Sequence, residues 1–155
     1  MGENAGTRRV VVGVDGSPSS GAALRWAVRY AALVDARVDA VSAWNLPGAD
    51  TWSAPAVDAD VDEAAARQAL TQELDDVLGA ESAGAVHARL ARGNPVEVLL
   101  RAAEGAEILV VGSRGRGGFA RALLGSVSHH VAQHAQCPVV IVRAESGRGS
   151  GAESG

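Results

Sequence analysis

The sequence predicts an α/β fold, a five-stranded parallel sheet with helices on both faces, on three observations. Five strand-like segments alternate with helix-like ones in the order βαβαβαβαβ, the pattern of parallel strands joined by crossover helices. Three of the strand segments are continuously apolar (VVVGV, ILVV, CPVVIV), as in strands covered on both faces. Two helix starts pair a capping residue with a first-turn proline, Ser17-Pro18 and Asn94-Pro95.

Taken in order, RRVVVGVDGS reads as a strand over 9–14 ending in a turn. The helix capped by Ser17 runs to about Val34, with Ala23, Ala27, Tyr30, Ala31 and Val34 as its inner stripe. RVDAVSAW is a second strand over 37–44, and residues 45–58, with two prolines and a glycine, read as a loop. DADVDEAAARQALTQELDDVLGA is a helix with Leu70, Leu74, Val77 and Leu78 on one face, ended by Gly79. AVHARLARG alternates like a strand near 85–91. NPVEVLLRAAEG is a short helix facing inward through Val96, Leu99, Leu100 and Ala103. EILVVG is the fourth strand, a helix follows over about 126–135, and CPVVIVR is the last strand. Residues 1–7 and 144–155 lack large apolar runs and read as a flexible start and a disordered tail around one domain over 8–143.

Composition narrows the function. The formal net charge is -4, yet residues 108–144 hold four arginines and no acid. An acidic chain with one basic stretch points to a local anion site, not to a nucleic-acid surface. All 14 basic residues are arginine. Without lysine, a Walker loop is excluded, because its Gly-Lys-Ser/Thr needs one. No apolar run reaches the roughly 20 residues of a membrane span. MGENAGTRR has no signal-like apolar core, and the single Cys137 can form no internal disulfide, so a cytoplasmic protein without membrane partners is expected.

In such sheets ligands bind beyond the carboxyl ends of the strands, where strand order reverses. That rule selects GVDGS after the first strand and GSRGRGGFARALLGS after the fourth. In the latter, Gly112 ends a strand where a ligand can approach the backbone without meeting a Cβ. Gly115, Gly117 and Gly118 allow turns with exposed N–H groups. Gly125 and Ser126 open a helix whose N–H groups and dipole favour phosphate, and Arg114, Arg116 and Arg121 add positive charge. On composition alone the glycines could equally form a flexible connection, and GRGG by itself is a weak signal.

The full spacing is specific. Gly112-x2-Gly115-x9-Gly125-Ser126, with VVGVDGS, GNP, EILVVGSRGRGG and LLGSVSHHVAQHAQCPVVIVR, resembles the ATP-binding universal stress proteins over about residues 8–143. The resemblance implies a doubly wound, Rossmann-like sheet of order 3-2-1-4-5 with ATP at its switch point. Residue by residue, it implies that Asp15, preceded by Gly13 and Val14 of the same site, contacts the adenosine with its carboxylate near the ribose. The backbone around Ala43 meets the adenine. Gly112 and Gly115 border ribose and the first phosphates, and Ser113, Arg114, Arg116, Gly117 and Gly118 belong to the same expected ATP-binding set. Gly125, Ser126 and Val127 bind phosphates at the helix start. It further implies Mg2+ carried on the phosphates, a homodimer paired through Pro138 to Val142, and a role in stress survival or dormancy.

Other residues have plainer readings. Asp15 sits in a common Asp-Gly turn and can simply order it. His129, His130 and His134 lack the acidic ligands of a metal site and read as helix-packing or solvated residues. Cys137 reads as a small packed residue, and Trp26, Trp44 and Trp52 as packing, Trp44 lying beside the proposed adenine edge. Three functions remain open: a nucleotide-binding regulatory module, a slow ATPase or phosphoryl or nucleotidyl transferase using the same cleft, and a nucleotide-free interaction scaffold.

Overall fold

The computed structural model describes residues 8–44, 59–114 and 124–144. Five parallel strands, β1 (Arg9–Gly13), β2 (Arg37–Trp44), β3 (His87–Arg92), β4 (Ile108–Gly112) and β5 (Val139–Val142), form one sheet in the order β3-β2-β1-β4-β5. The helices are α1 (Pro18–Val34), α2 (Ala59–Leu78), α3 (Ala80–Gly84), α4 (Pro95–Ala102) and α5 (Ser126–His134). Register is continuous across the centre, Val10 facing Val38 on one side and Ile108 on the other. The chain leaves β1 toward β2 and β3, then returns to β4 on β1's other side. The connections that leave the carboxyl ends of β1 and β4 therefore turn to opposite faces of the sheet, and a crevice opens between them.

Strand alternation divides the core in two. Val10, Val12, Val38, Ala40 and Val110 pack under α1 and α2, while Val11, Val41, Leu109 and Val111 pack under α4 and α5. Apolar residues line both faces of the inner strands, which is why their sequence runs are unbroken.

The helix starts follow the caps. Ser17 Oγ accepts from Ser20 N–H at 3.2 Å, and Asn94 Oδ1 accepts from Val96 N–H at 2.8 Å. At the far end of α1, Asp35 takes the left-handed conformation (φ 58°) in which helices are customarily closed by glycine. Gly79, at φ 85°, stops α2 as expected.

Several boundaries and stripes differ from expectation. β1 ends at Gly13, β3 lies at 87–92, and α5 ends at His134. The inner face of α1 centres on Ala23, Leu24, Ala27 and Ala31. Tyr30 and Val34 are at its half-buried rim, where Tyr30 stacks on Trp26 with centroids 5.1 Å apart. Leu24 is fully buried, worth roughly 1.5–3 kcal/mol, because the small alanines around it let the helix sit close to the valine sheet. On α4, Val98 and Leu99 are the buried pair, while Val96 and Leu100 are half-buried. One short helix, α3, was not expected, since AESAG carries no apolar period.

Candidate functional site

A cavity of about 130 Å³ occupies the crevice at the carboxyl ends of β1, β2 and β4. Val41, Ala43, Leu99, Val111 and Val127 give it an apolar lining, and Asp15, Ser20 and Arg114 supply polar groups. An apolar floor with a few convergent polar groups is the usual form of a small-molecule site. A wider cleft of about 630 Å³ adjoins it, between Trp44 at the end of β2 and the Ala66–Asp76 face of α2. Asp15 and Ala43 line both.

Of the residues expected to bind a ligand, the structure brings Gly13, Val14, Asp15, Ala43, Gly112, Arg114 and Val127 together on the first cavity. Ser126 stands exposed at the first turn of α5, beside that wall. Ser113 and Gly125 are buried next to the cavity instead of lining it. Gly115, Arg116, Gly117 and Gly118, with Arg121, lie outside the described residues.

Ser113 and Gly125 are the two ends of the long loop, and they are bonded to each other. Gly125 N–H donates to Ser113 O at 2.7 Å, and Ser128 Oγ is 3.2 Å from Ser113 O and 3.1 Å from Gly125 O. Ser113 N–H in turn donates to Val142 O at 2.8 Å, tying the closure to β5. Ser113 at the exit of β4 and Gly125 at the entry to α5 thus form a closed neck beside α5's free N–H groups. Gly125 has φ −69°, open to any residue, so its backbone conformation does not require glycine.

Gly112 serves packing, which corrects the expected reason for it. A Cβ there would lie 2.6 Å from Ser19 C and 2.7 Å from Ser20 N. The place where its side chain would stand is filled by the start of α1, while Gly112 itself still lines the cavity. Gly13 is the glycine whose missing Cβ faces the cavity wall, 3.1 Å from a Leu99 methyl.

Sequence reasoning missed the serines that fix this geometry. Ser19 Oγ donates to Arg114 O at 2.7 Å and accepts from Arg114 N–H at 3.1 Å, and Ser17 Oγ also reaches Arg114 O, at 3.2 Å. Together they clamp the exit of β4 onto α1. Ser20 Oγ accepts from Asp15 N–H at 3.0 Å, and Asp15 Oδ1 accepts from Ser17 N–H at 2.9 Å. Asp15 therefore does order its turn, while its exposed carboxylate remains on the rim of both cavities. The run Ser17-Pro-Ser-Ser was the available signal, but only its capping residue was read.

The cysteine and histidines have plain surroundings among the described residues. Burial pushes the Cys137 thiol above its ordinary pKa, the opposite of an activated cysteine. His130 Nδ1 lies 2.7 Å from Ser126 O, within its own helix. Among the described residues no group of His, Cys, Asp and Glu could hold a metal ion. Nor, among them, is any helix long and apolar enough to cross a membrane. Trp44 is engaged by Arg92, whose guanidinium carbon lies 5.7 Å from the ring centroid.

Comparison with known proteins agrees with this geometry. Residues 6–143 match the model of the Universal stress protein family. Universal stress protein Rv2623 of Mycobacterium tuberculosis is 36% identical over 134 residues. That match covers 86% of this chain but 44% of the relative, so the chain spans less than half that protein's length. Among solved structures, a universal stress protein in complex with cAMP is 30% identical with a TM-score of 0.65, covering 90% of this chain and 99% of that one. UspA from Lactobacillus plantarum reaches a TM-score of 0.68 at 25% identity, covering 88% and 97%. The strand order, the crevice at its reversal and the match over residues 6–143 lead to one assignment: this chain belongs to the universal stress protein family.

Proposed function

We propose that this protein is a nucleotide-binding regulatory module that holds ATP in the crevice between β1 and β4 and serves in stress response or dormancy. The observation that carries the reading is the neck at Ser113 and Gly125. It sets the exit of β4 and the N-terminus of α5 side by side, next to an apolar cavity with Asp15 on its rim. The base would enter the apolar cavity, with Asp15 near the ribose. Gly13, Val14, Ala43, Gly112, Ser113, Arg114, Gly115, Arg116, Gly117, Gly118, Gly125, Ser126 and Val127 form the expected contact set. The phosphates would lie toward α5, with Mg2+ carried on them. Arginine binds a phosphate through a fixed fork of donors and stays protonated, which suits holding more than proton transfer.

A nucleoside monophosphate is the second reading. The enclosed cavity is only about 130 Å³, and the solved relative at 30% identity holds cAMP. Titrating purified protein with ATP, AMP and cAMP, with and without Mg2+, separates the two. The ATP reading expects the tightest saturable binding for Mg-ATP, weakened by Gly115→Ala while the circular dichroism spectrum is unchanged. Tighter binding of AMP or cAMP selects the second reading, and no saturable binding by any of them sinks both.

The proposal includes a homodimer through β5. All four residues of that strand are half-buried and apolar, and among the described residues it has one strand neighbour, β4. Light scattering of the wild type and of Val140→Arg tests it, with a dimer expected only for the wild type.

A further inference from the structure

Asp39 sits in the middle of β2 with no solvent exposure, and it gathers charge from three strands. Arg9 and Arg37 approach its oxygens at 3.3 Å, His87 at 3.4 Å and Arg89 at 3.6 Å. Strand alternation puts all five residues on the α4 face of the sheet. One carboxylate against three guanidinium groups leaves a surplus of two positive charges, even with His87 neutral.

Arg9 is committed to the fold. It also donates to Ala102 O at 3.0 Å and to Glu104 O at 2.6 Å, at the C-terminal end of α4. The other three are about half exposed, at 54% for Arg37, 62% for His87 and 45% for Arg89. Each guanidinium carries five N–H donors, and Asp39 takes few of them. Beside them runs a groove of about 110 Å³ with Val41, Val98 and Ala102 in its lining and Arg89, Arg92 and Arg101 around it. Arg101 is exposed and forms no ion pair with Glu97 or Glu104.

A guard against edge pairing is the plain reading, since charges commonly protect outer strands. It does not explain why three arginines are held convergent by one buried counter-ion beside an apolar groove. Among the described residues β3 has one strand neighbour, β2, so its other edge offers backbone donors and acceptors. Side chains on one face of an extended segment repeat every roughly 6.6–6.8 Å, the spacing of His87 and Arg89 on β3.

We infer that the β3 edge is a docking site for an extended acidic segment of a partner protein. The segment lies along β3 with carboxylates at alternate positions opposite His87 and Arg89, and Arg101 receives a third across the groove. Backbone hydrogen bonds along the edge give affinity, and the arginines select acidic sequence. Asp39 is the positioning residue that orients the arginines. This site lies apart from the nucleotide crevice, and the inference stands whether or not nucleotide binds.

The test uses a labelled decapeptide of alternating Glu and Thr, followed by fluorescence anisotropy against the full chain. Binding is expected to be saturable and to weaken as salt rises. Arg101→Glu, which leaves the Asp39 cluster intact, is expected to weaken it severalfold, and Arg89→Glu with Arg101→Glu by about tenfold or more. N-methylation at alternate peptide positions is expected to abolish it, because the edge bonds are lost. No saturable binding overturns the inference, as does an affinity unchanged by Arg101→Glu or by N-methylation. Equal competition by inorganic phosphate would make this a small-anion site, and stronger binding of a single-stranded oligonucleotide a nucleic-acid site. Either result also overturns it.

Discussion

Asp15 and Asp39 stand about 24 residues apart, one just beyond β1 and the other inside β2, and they solve the same problem in opposite ways. Asp15 lies at a strand end, where unpaired N–H groups are close by, and it accepts from Ser17 N–H two residues on. Its charge stays in water at the rim of the candidate site. Asp39 is inside a strand whose backbone donors are already spent on the ladder. It has no solvent exposure, and its Oδ1 makes no hydrogen bond, although Arg37 Nε and His87 Nδ1 lie close to it. A buried charge of this kind must be balanced by opposite charges from elsewhere in the fold. A carboxylate at a strand end is thus available for a ligand, whereas one within a strand is consumed by the architecture.

The sharpest way to break that comparison is Asp39→Ala. It leaves Arg9, Arg37 and Arg89 facing one another with no counter-charge. Removing one partner of a buried pair costs about 3–5 kcal/mol, and the half-exposed state of Arg37 and Arg89 puts this case near about 3. Urea unfolding of wild type and variant measures it. A loss smaller than that of Asp15→Ala would mean that water reaches the cluster and that the contrast is false.

Gly112→Ala comes next. The new methyl meets backbone atoms of Ser19 and Ser20, which cannot swing aside as a side chain can. Overpacking of this sort costs about 1–3 kcal/mol. Gly13→Ala is the matched control, because the nearest neighbours of its new methyl are Leu99 and Val111 side chains. Thermal unfolding should rank Gly112→Ala clearly below Gly13→Ala, and the reverse order would mean that the start of α1 shifts to admit the methyl. Ser19→Ala follows at about 1–2 kcal/mol, since Arg114 N–H and C=O both lose a partner. Its unfolding midpoint should fall at unchanged denaturant slope.

The same contrast explains what could be read from the chain. Unbroken valine runs and the Ser17-Pro18 and Asn94-Pro95 starts are local signals, so the elements were predictable. Pattern alone does not encode strand order, which depends on where crossovers land. The resemblance implied it, and the sheet bears it out. The turns after β1 and β4 were readable as strand ends, and the resemblance pointed to Asp15, Ala43 and Gly112, which line the cavity. Ser19 and Ser128 were not, because serines near a helix start look like caps until their distant partners are seen. Asp39 was hidden most deeply. RVDAVSAW alternates as though Asp39 faced water, and its partners Arg9, His87 and Arg89 lie on other strands.

The smallest expected change in stability is the most informative about function. Asp15→Asn keeps a side-chain oxygen for Ser17 N–H, so the turn survives and stability should move by less than about 0.5 kcal/mol. Asp15→Ala removes that acceptor at an exposed position, where water replaces it, and should cost no more than about 1 kcal/mol. If Asp15 contacts the ribose, both variants should lose nucleotide affinity. A charged hydrogen bond is worth roughly 1.5–3 kcal/mol, on the order of tenfold or more in dissociation constant. Calorimetric titration beside a thermal melt reads the two quantities on one preparation. Affinity falling with the melt unchanged identifies Asp15 as a ligand residue. Affinity retained by Asp15→Asn and lost only in Asp15→Ala would make it a turn residue that acts through the start of α1, closer in kind to Asp39 than the structure suggests.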